Sequence, residues 1–322
     1  MLKFILRRAL LMIPQLILLS LIIFMLSKAM PGDAVTGAFM SNPNVSPEQV
    51  EKIREKLGLN DPWYEQYGRW IGKAVQGDFG QSYVHKQPVT SLLAGRIENT
   101  VLLSLFTAIV IYLLAIPLGI VAGRWTDTWA DKMIVTYNYF AFATPLFIFA
   151  LLMLFLFSFI LGWFPIGGSG NIRIDPGSWE YIVDRAKHLF LPVMSGALIG
   201  TYGTIQYLRN DIIDQKIKDY VKTARSKGVP EGKVYTRHIL RNSLLPIAAF
   251  LGYEITGLIS GSIFIESIYS YPGLGQLFLQ SIAQRDFTVV TALVMVSGAA
   301  VIIGTLLSDI ILSIVDPRIR IE

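Results

Sequence analysis

The sequence contains no cysteine and only three histidines, and these absences remove several kinds of chemistry. Without thiols the chain forms no disulfides, thiolate zinc sites or iron–sulfur clusters, and thiol catalysis is excluded. His85, His188 and His238 lie far apart in the sequence, which argues against a histidine-rich metal centre. Charged residues are also scarce, at 16% of the chain, compared with about 25% in soluble domains.

Apolar sequence takes the place of the missing charge, since 53% of the residues are hydrophobic. Runs of about 18 or more apolar residues are typical of membrane spans, and a span in lipid forms a helix because its backbone must satisfy its own hydrogen bonds. The sequence therefore predicts an all-α membrane protein with six transmembrane helices. The predicted spans are Ala9–Leu26, Val101–Ala122, Met133–Leu161, Leu189–Leu208, Leu244–Ile265 and Val289–Val315.

Two of these spans have unusual features. The third is too long to stand upright in a bilayer and contains Pro145, which predicts a kink or a tilt. The first follows Lys3, Arg7 and Arg8 and so resembles a signal peptide. Its apolar stretch is longer than the roughly 7–15 residues of a signal core and no small-residue cleavage site follows it, so we expect an uncleaved first span.

The positions of the basic residues predict the orientation in the membrane. More than half of the 28 lysines and arginines fall on one side if both termini and residues 209–243 lie together. Because lysine and arginine concentrate in cytoplasmic connections, both termini are predicted to be cytoplasmic. The net charge of +5 is thus a signal of topology, and it argues against binding to nucleic acid.

The connection between the first two spans is too long to be a simple linker. A helix is predicted from a Ser46 cap to Leu57, and a second over Pro62–Lys73. The second helix presents Trp63, Tyr67 and Trp70 at three- and four-residue spacing. Such aromatic residues either pack at the membrane interface and on the first span or form a docking surface for an external partner, and the sequence leaves both open.

Residues 209–243 form the most informative connection. Apolar residues recur at helical spacing from Ile212 to Ala224, Gly228 is predicted to end that helix, and Pro230 to begin another that runs into the fifth span. An apolar stripe outside the bilayer needs a cover. Either the helix lies on the lipid surface or it fits a groove on another protein, and the residues alone favour neither.

The familiar motifs of catalysis and cofactor binding are missing. The segment Gly228–Lys233 superficially resembles a phosphate-binding loop, but it is one residue short and is followed by Val234 in place of serine or threonine. Gly167–Gly170 has no preceding strand, and no pair of carboxylates is spaced for acid–base catalysis. We therefore expect neither an enzyme nor a metal or cofactor site in this chain.

One ionisable residue, Glu254, falls near the middle of the fifth predicted span. A carboxylate at that depth is costly and usually faces a bundle interior or an aqueous cavity. It is either a neutral, hydrogen-bonded structural group or part of a translocation path, and both interpretations stay open at this point.

Short motifs stand along almost the whole chain. They are Pro31-Gly32-Asp33, Gly77-Asp78-Phe79-Gly80 with Ser82, Thr223–Gly228, His238–Asn242, Leu244-Leu245-Pro246, Glu266, Pro272-Gly273-Leu274-Gly275 and Asp316-Pro317-Arg318. These motifs resemble those of the permeases of ABC importers, and more narrowly the oligopeptide/dipeptide permease family, closest to the first of its two paired permease subunits. The general importer motif begins Glu-Ala-Ala, whereas this sequence has Lys222-Thr223-Ala224 and the longer glycine-to-proline interval of the peptide permeases.

The resemblance implies a type I importer permease fold in a bacterial or archaeal cell membrane. Residues 1–94 would be the first span with an extracytoplasmic subdomain, residues 95–315 the transmembrane domain, and residues 316–322 a cytoplasmic tail. Residues 209–243 would be the coupling loop. The implied partners are a second permease chain, two ATPases that hold ATP and magnesium, and an extracytoplasmic binding protein or lipoprotein.

Individual residues are also assigned roles. Glu254, because of its depth in the fifth span, is expected to line the translocation path, and Glu266 is placed there with it. Trp63, Tyr67 and Trp70, which share one helix of the long insert, are expected to contact the binding protein. The residues that would couple to the ATPases are Tyr220, Thr223, Ala224, Arg225, Lys227, Gly228, Arg237, His238 and Pro246.

The function expected from this resemblance is ATP-driven import of oligopeptides or dipeptides. Other members of the family carry nickel or glutathione, so the family does not fix the solute. An ion-coupled secondary transporter is the alternative from another class, with Glu254 as the coupling group. Such carriers are often built from inverted repeats, which this sequence does not show. A membrane scaffold without transport would not require an embedded carboxylate.

Overall fold

The computed structural model describes residues 2–29, 55, 58, 60–82, 84–247, 257–258 and 261–315. Within this part of the chain the structure is helical, apart from one two-stranded antiparallel ladder in which Gln81 pairs with Pro88. An all-α fold was predicted, and the described residues confirm it.

The elements are numbered here in chain order. Helices α5 and α8 each continue directly into a π-helix, over Leu154–Ile160 and Val234–Leu240 respectively. The helices are α1 (Leu2–Ala29), α2 (Trp63–Val75), α3 (Val89–Arg124), α4 (Trp129–Ala143), α5 (Leu146–Met153), α6 (Trp179–Lys216), α7 (Asp219–Ser226), α8 (Glu231–Lys233), α9 (Arg241–Ser243), α10 (Ile263–Ile268), α11 (Leu274–Ala283) and α12 (Phe287–Val315), and the strands are β1 (Gln81–Ser82) and β2 (Gln87–Pro88).

Four described helices are long and apolar enough to cross a membrane: α1, α3, α6 and α12. They contain the first, second, fourth and sixth predicted spans. The pair α4 and α5 adds a fifth if the two are counted as one broken span. The structure therefore supports a multi-pass membrane protein with four or five membrane helices, and the count of six is not confirmed.

The third predicted span is bent far more sharply than a kinked helix. Its two halves, Trp129–Ala143 and Leu146–Ile160, lie at 102° to each other. The break falls at Thr144 and Pro145, where Thr144 has an extended backbone (φ −89°, ψ 119°). Proline lacks a backbone N–H and disfavours a helical conformation in the residue before it, which is why the helix stops here.

Half of the fifth predicted span, Leu244–Ile265, lies outside the described part of the chain, at residues 248–256 and 259–260. Glu254 is among them. Near the end of this segment α10 begins with a Ser262 cap whose hydroxyl accepts from the Ile265 N–H.

Helix packing centres on α3 and α6, which make the most extensive contact between described elements. Helix α4 packs on α6, and α1 packs on α12. Buried apolar side chains form separate clusters at the two ends of the α3–α6 pair: Leu208, Ile212 and Tyr112 belong to one, and Leu103 and Leu191 to another. The coupling loop, residues 209–243, and the surroundings of Glu266 are both built on this pair of helices.

Candidate functional site

The coupling loop, residues 209–243, does not contain the single helix that its apolar periodicity predicts. Helix α6 runs on to Lys216, the chain breaks at Ile217 and Lys218, and α7 begins at Asp219. Lys218 has an extended backbone (φ −65°, ψ 148°), which turns α7 away from the axis of α6. The prediction of one continuous helix through Ala224 is therefore wrong.

Because of the break, Ile212, Val221 and Ala224 of the predicted stripe face the interior of the loop. Ile212 on α6 and Val221 and Ala224 on α7 pack together in one buried cluster, which also contains Val234 and Ile239 of the following π-helix. These side chains are between 0% and 6% exposed. Neither a lipid surface nor a partner groove is needed to cover the stripe, because the loop folds onto itself and covers it. Both predicted covers are wrong for these residues.

The apolar surface that the coupling loop does leave exposed is small. Ile217 at the break is 70% exposed, and Tyr220 is 39% exposed with its hydroxyl bonded to Gln215. Thr223, on the outer face of α7, donates its hydroxyl to the carbonyl of Asp219 at 2.8 Å. A partner that meets this face would therefore find a compact α7 with one tyrosine and polar side chains around it.

The corner predicted at Gly228 is present. Gly228 has φ +73°, a conformation that side chains with a Cβ rarely adopt, and its N–H donates to the Arg225 carbonyl at 2.9 Å. Arg225 reaches across the corner and donates to both carboxylate oxygens of Glu231, at 2.6 and 3.1 Å. The guanidinium lowers the pKa of Glu231, and the same hydrogen bonds raise the pKa of Arg225.

The residues predicted to couple to an ATPase divide into three groups. Those of α7 and the corner share one exposed tip, except Ala224, which is buried in the cluster beneath it. Arg237 and His238 lie on the π-helix, exposed and half-buried respectively, and Pro246 is half-buried on the segment beyond α9. The residues gathered at the tip are Tyr220, Thr223, Arg225, Lys227 and Gly228.

The base of the coupling loop rests on residues that sequence reasoning missed. The guanidinium of Arg124, at the end of α3, lies over the ring of Tyr235 at 4.6 Å. Lys216 donates to the Arg124 carbonyl at 2.9 Å, and Arg209 makes an ion pair with Asp131 of α4. Asp131 comes just before the third predicted span, but its partner, 78 residues away, could not be identified from the sequence.

Glu266, predicted to line a translocation path, is fully enclosed. It has no exposed surface. One carboxylate oxygen accepts from the Thr100 hydroxyl at 2.9 Å and the other from the Gln276 N–H at 2.9 Å. The Thr100 hydroxyl in turn accepts from the Leu274 N–H at 2.7 Å, so α3, α10 and α11 meet at this carboxylate. In this conformation the Glu266 carboxylate is hydrogen-bonded at the start of α11, and its role in a translocation path stays a prediction.

This arrangement explains why the sequence carries Pro272-Gly273-Leu274-Gly275 six residues after a glutamate. A Cβ built on Gly273 would stand 2.4 Å from the Glu266 carboxyl carbon. Only glycine lets the backbone approach the carboxylate so closely. The N–H groups at the start of a helix attract negative charge, and Glu266 supplies it to α11.

The aromatic residues of α2 also divide between two roles. The predicted helix is present over Trp63–Val75, whereas the helix predicted from Ser46 to Leu57 lies almost wholly outside the described residues. Tyr67 and Trp70 pack on Phe24 of α1, with ring centroids 5.5 and 5.9 Å apart, and the Tyr67 hydroxyl lies 2.8 Å from that of Ser20. Trp63 stays 51% exposed. Of the three, only Trp63 offers most of a large ring to a partner.

A cavity of about 140 Å³ opens between α3 and the segment around α10. Its described lining contains apolar, glycine and hydroxyl side chains and no charged group. The lining residues are Leu103, Ser104, Thr107, Ala108, Ile111, Gly257, Gly261, Ser262 and Ile265.

Comparison with known families matches nearly the entire chain. Residues 115–321 match the family described as the binding-protein-dependent transport system inner membrane component, and residues 1–104 match the N-terminal family of the same membrane components. The two matches do not overlap, and only residues 105–114 and 322 lie outside them.

Individual proteins are similar over their full lengths. The oligopeptide transport system permease protein AppB of Bacillus subtilis is 40% identical over 99% of this chain and 100% of its own length. A putative peptide permease protein of Brucella ovis is 34% identical over 100% of both chains. The glutathione transport system permease protein GsiC of Escherichia coli is 31% identical over 99% of each chain.

Proposed function

Because the chain belongs to the family of binding-protein-dependent transport system inner membrane components, we propose that it is one of two pore-forming subunits of an ATP-driven importer of oligopeptides or dipeptides. Members of this family are membrane components of ABC transporters and not enzymes. The family does not favour the ion-coupled secondary transporter. In the proposed complex ATP and magnesium are bound by two separate ATPase subunits.

The observation that carries the proposal is the construction of the coupling loop. The residues at its tip are exposed, and apart from Tyr220 and Gly228 their side chains are polar, while Val221 and Ala224 lie in a buried cluster against α6. Such a loop keeps its shape without a partner, so an ATPase meets a preformed surface and loses little ordering entropy on docking. A second permease chain would place an equivalent loop on the second ATPase.

The proposed substrate class rests on the relatives. AppB is named for oligopeptides and GsiC for glutathione, which is itself a small peptide derivative. The cavity between α3 and α10 supports the same class, because the lining residues that the structure describes carry no charge and impose no charge requirement on the side chains of a passing peptide. Glutathione is the second candidate, and nickel stays a prediction from the family resemblance alone.

The proposed orientation follows from the basic residues. Both termini and the coupling loop lie in the cytoplasm, and α2 lies outside, where an extracytoplasmic binding protein or lipoprotein delivers the solute. Residues 1–94 would form the first span and the external subdomain, and residues 95–315 the transport domain. Glu254 stays a proposed contact of the translocation path, and Glu254→Gln is expected to slow uptake without affecting assembly.

The proposal is tested with the complete importer in proteoliposomes. We expect uptake of a labelled oligopeptide that requires the binding protein, both permeases and internal ATP. Unlabelled dipeptide, oligopeptide and glutathione, added as competitors, rank the solutes. If an imposed proton gradient drives uptake in the absence of the ATPases, the chain is a secondary transporter and the proposal is wrong. If glutathione alone competes, the second candidate replaces the first.

A further inference from the structure

An ion pair between the buried Asp131 and the half-buried Arg209 joins α4 to α6 at the base of the coupling loop. Asp131, in the first turn of α4, is 2% exposed. Arg209 of α6 donates through Nε to Oδ1 at 2.7 Å and through Nη2 to Oδ2 at 2.9 Å. A guanidinium that binds both oxygens of a carboxylate fixes orientation as well as distance, so this pair resists sliding and rotation of α4 against α6.

The turn between α3 and α4 is held by the same residues. The N–H of Asp127 donates to Oδ2 of Asp131 at 2.9 Å, so the carboxylate that binds Arg209 also shapes the turn. Lys216, at the end of α6, donates to the Arg124 carbonyl at 2.9 Å and to the Thr126 hydroxyl at 3.2 Å. Arg209 and Lys216, about two helical turns apart on α6, therefore both hold the α3–α4 turn against α6.

The coupling loop is attached to this turn by a third contact. The Arg124 guanidinium lies over the ring of Tyr235, and Tyr235 is 5% exposed within the cluster that contains Val221 and Ala224. A movement of α7 or of the π-helix would therefore displace Arg124 and, through the turn at residues 125–128, Asp131. Close-packed groups of this kind move as units, because their interfaces do not deform continuously.

We propose that Asp131 and Arg209 are positioning residues for transport: they make the coupling loop, the turn at residues 125–128 and the adjoining ends of α3, α4 and α6 one rigid unit. A displacement that a partner ATPase imposes on the loop tip then reaches the bent pair α4–α5 without being absorbed in the turn. This inference rests on the proposed function, because it needs an ATPase that moves the loop.

The test uses the complete importer in proteoliposomes and measures solute molecules imported per ATP hydrolysed. In Asp131→Asn the guanidinium loses its charged partner and the link to the turn is weakened. We expect this ratio to fall between about twofold and thirtyfold, the range found for residues that carry coupling between sites. A variant that merely assembled poorly would lower import and hydrolysis together and leave the ratio unchanged.

Glu98→Gln is the matched control. Glu98 of α3 accepts from Arg185 of α6 at 2.8 Å, so the control removes one carboxylate charge from an ion pair with the same helix, at its opposite end. The ratio is expected to stay at the wild-type value in this variant. Equal losses in both variants would show a general effect of charge on α6 and would overturn the inference.

A second measurement does not depend on the variant folding. Because the chain has no cysteine, spin labels can be placed on two introduced cysteines, Lys132→Cys on α4 and Lys222→Cys on α7. In the otherwise wild-type complex the distance between the labels is expected not to change when a non-hydrolysable ATP analogue binds. A change in that distance would show that the loop moves separately from α4 and would overturn the inference.

The remaining outcomes are distinguishable from failure of the proposed function. If Asp131→Asn imports with the wild-type ratio, the ion pair does not carry coupling, and the inference is wrong while the importer stands. If the wild-type complex shows no ATP-dependent import and no association with an ATPase, the proposed function has failed, and the inference fails with it.

Discussion

At the residue scale, the most instructive side chain is Glu266. A buried carboxylate is stable when its oxygens are hydrogen-bonded, and here both are satisfied by Thr100 and by the start of α11. The position that resembled a path-lining acid in the sequence is occupied by a group that joins three helices. Its surroundings include Arg96, which donates to Gln276 at 3.0 Å.

We predict that Glu266→Gln lowers stability more than it changes transport specificity. The amide NH₂ would face either the Gln276 N–H, which can only donate, or the Thr100 hydroxyl, which would then have to turn its own proton away from residue 266. In either case one buried donor would lose its acceptor, at a cost of about 1–3 kcal/mol. Thermal unfolding of the purified permease measures this. Glu98→Gln, whose carboxylate is 70% exposed, is expected to unfold like the wild type. Normal stability combined with altered peptide preference would instead identify Glu266 as a solute contact.

At the scale of elements, α7 and its corner form a unit whose shape depends on one residue. Gly228 has a positive φ, and a Cβ added there would meet no atom within 4 Å. Any larger side chain would therefore project from the exposed tip. A bulky and a small substitution at this position, compared for membrane insertion as well as for coupling, therefore separate an effect on folding from an effect on docking.

We predict that Gly228→Trp separates ATP hydrolysis from uptake, because the indole would stand between the tip and an ATPase groove. Gly228→Asn is the control, since asparagine tolerates a positive φ better than other residues and adds little bulk. Both variants are expected to insert into the membrane in normal amounts. Uptake per ATP should fall in Gly228→Trp and stay close to normal in Gly228→Asn. Normal coupling in Gly228→Trp would contradict docking at this tip.

Helix α2 carries two tryptophans, Trp63 and Trp70, whose substitutions are expected to have opposite effects on partner binding and on stability. Trp63→Ala is predicted to weaken association with the extracytoplasmic binding protein and to leave thermal stability unchanged, because half of the ring surface is free. Trp70→Ala is predicted to do the reverse, because Trp70 packs on Phe24 of α1. Binding-protein affinity and unfolding temperature, measured on both variants, decide this. Loss of affinity in Trp70→Ala alone would reverse the assignment.

At the scale of the whole molecule, α3 and α6 form a frame with the Asp131–Arg209 ion pair at one end and the enclosed Glu266 near the other. The coupling loop packs at the first end. The connection between α1 and α3 reaches the second, where Ser82 of β1 donates its hydroxyl to the buried Asp286 ahead of α12. Both ends of the frame are thus fixed by hydrogen bonds between elements distant in sequence.

We predict that the coupling loop and α2 lie on opposite sides of the membrane. The chain has no native cysteine, so Lys227→Cys and Lys73→Cys would each introduce a single reactive thiol. A membrane-impermeant thiol reagent is expected to label Lys73→Cys in spheroplasts and Lys227→Cys only in inverted vesicles. The opposite pattern would show that both termini lie outside and would invert the proposed topology.

The sequence by itself determined the features that depend on neighbouring residues. Long apolar runs specified helices because a backbone in lipid has no other way to satisfy its hydrogen bonds. Pro145 specified the break in the third span, Pro62 the start of α2 and Gly228 the corner, because each restricts or permits particular backbone angles wherever it stands. The family motifs are likewise readable one segment at a time.

Only the tertiary structure decided what covers each face and which charges pair. The periodicity of Ile212 to Ala224 showed that a face was apolar but could not show that a break at Ile217 and Lys218 folds it into the chain's own core. Asp131 meets Arg209 across 78 residues, and Glu266 meets Thr100 across 166. Such pairs follow from how helices pack, and packing depends on the combined shape of many side chains that no local pattern contains.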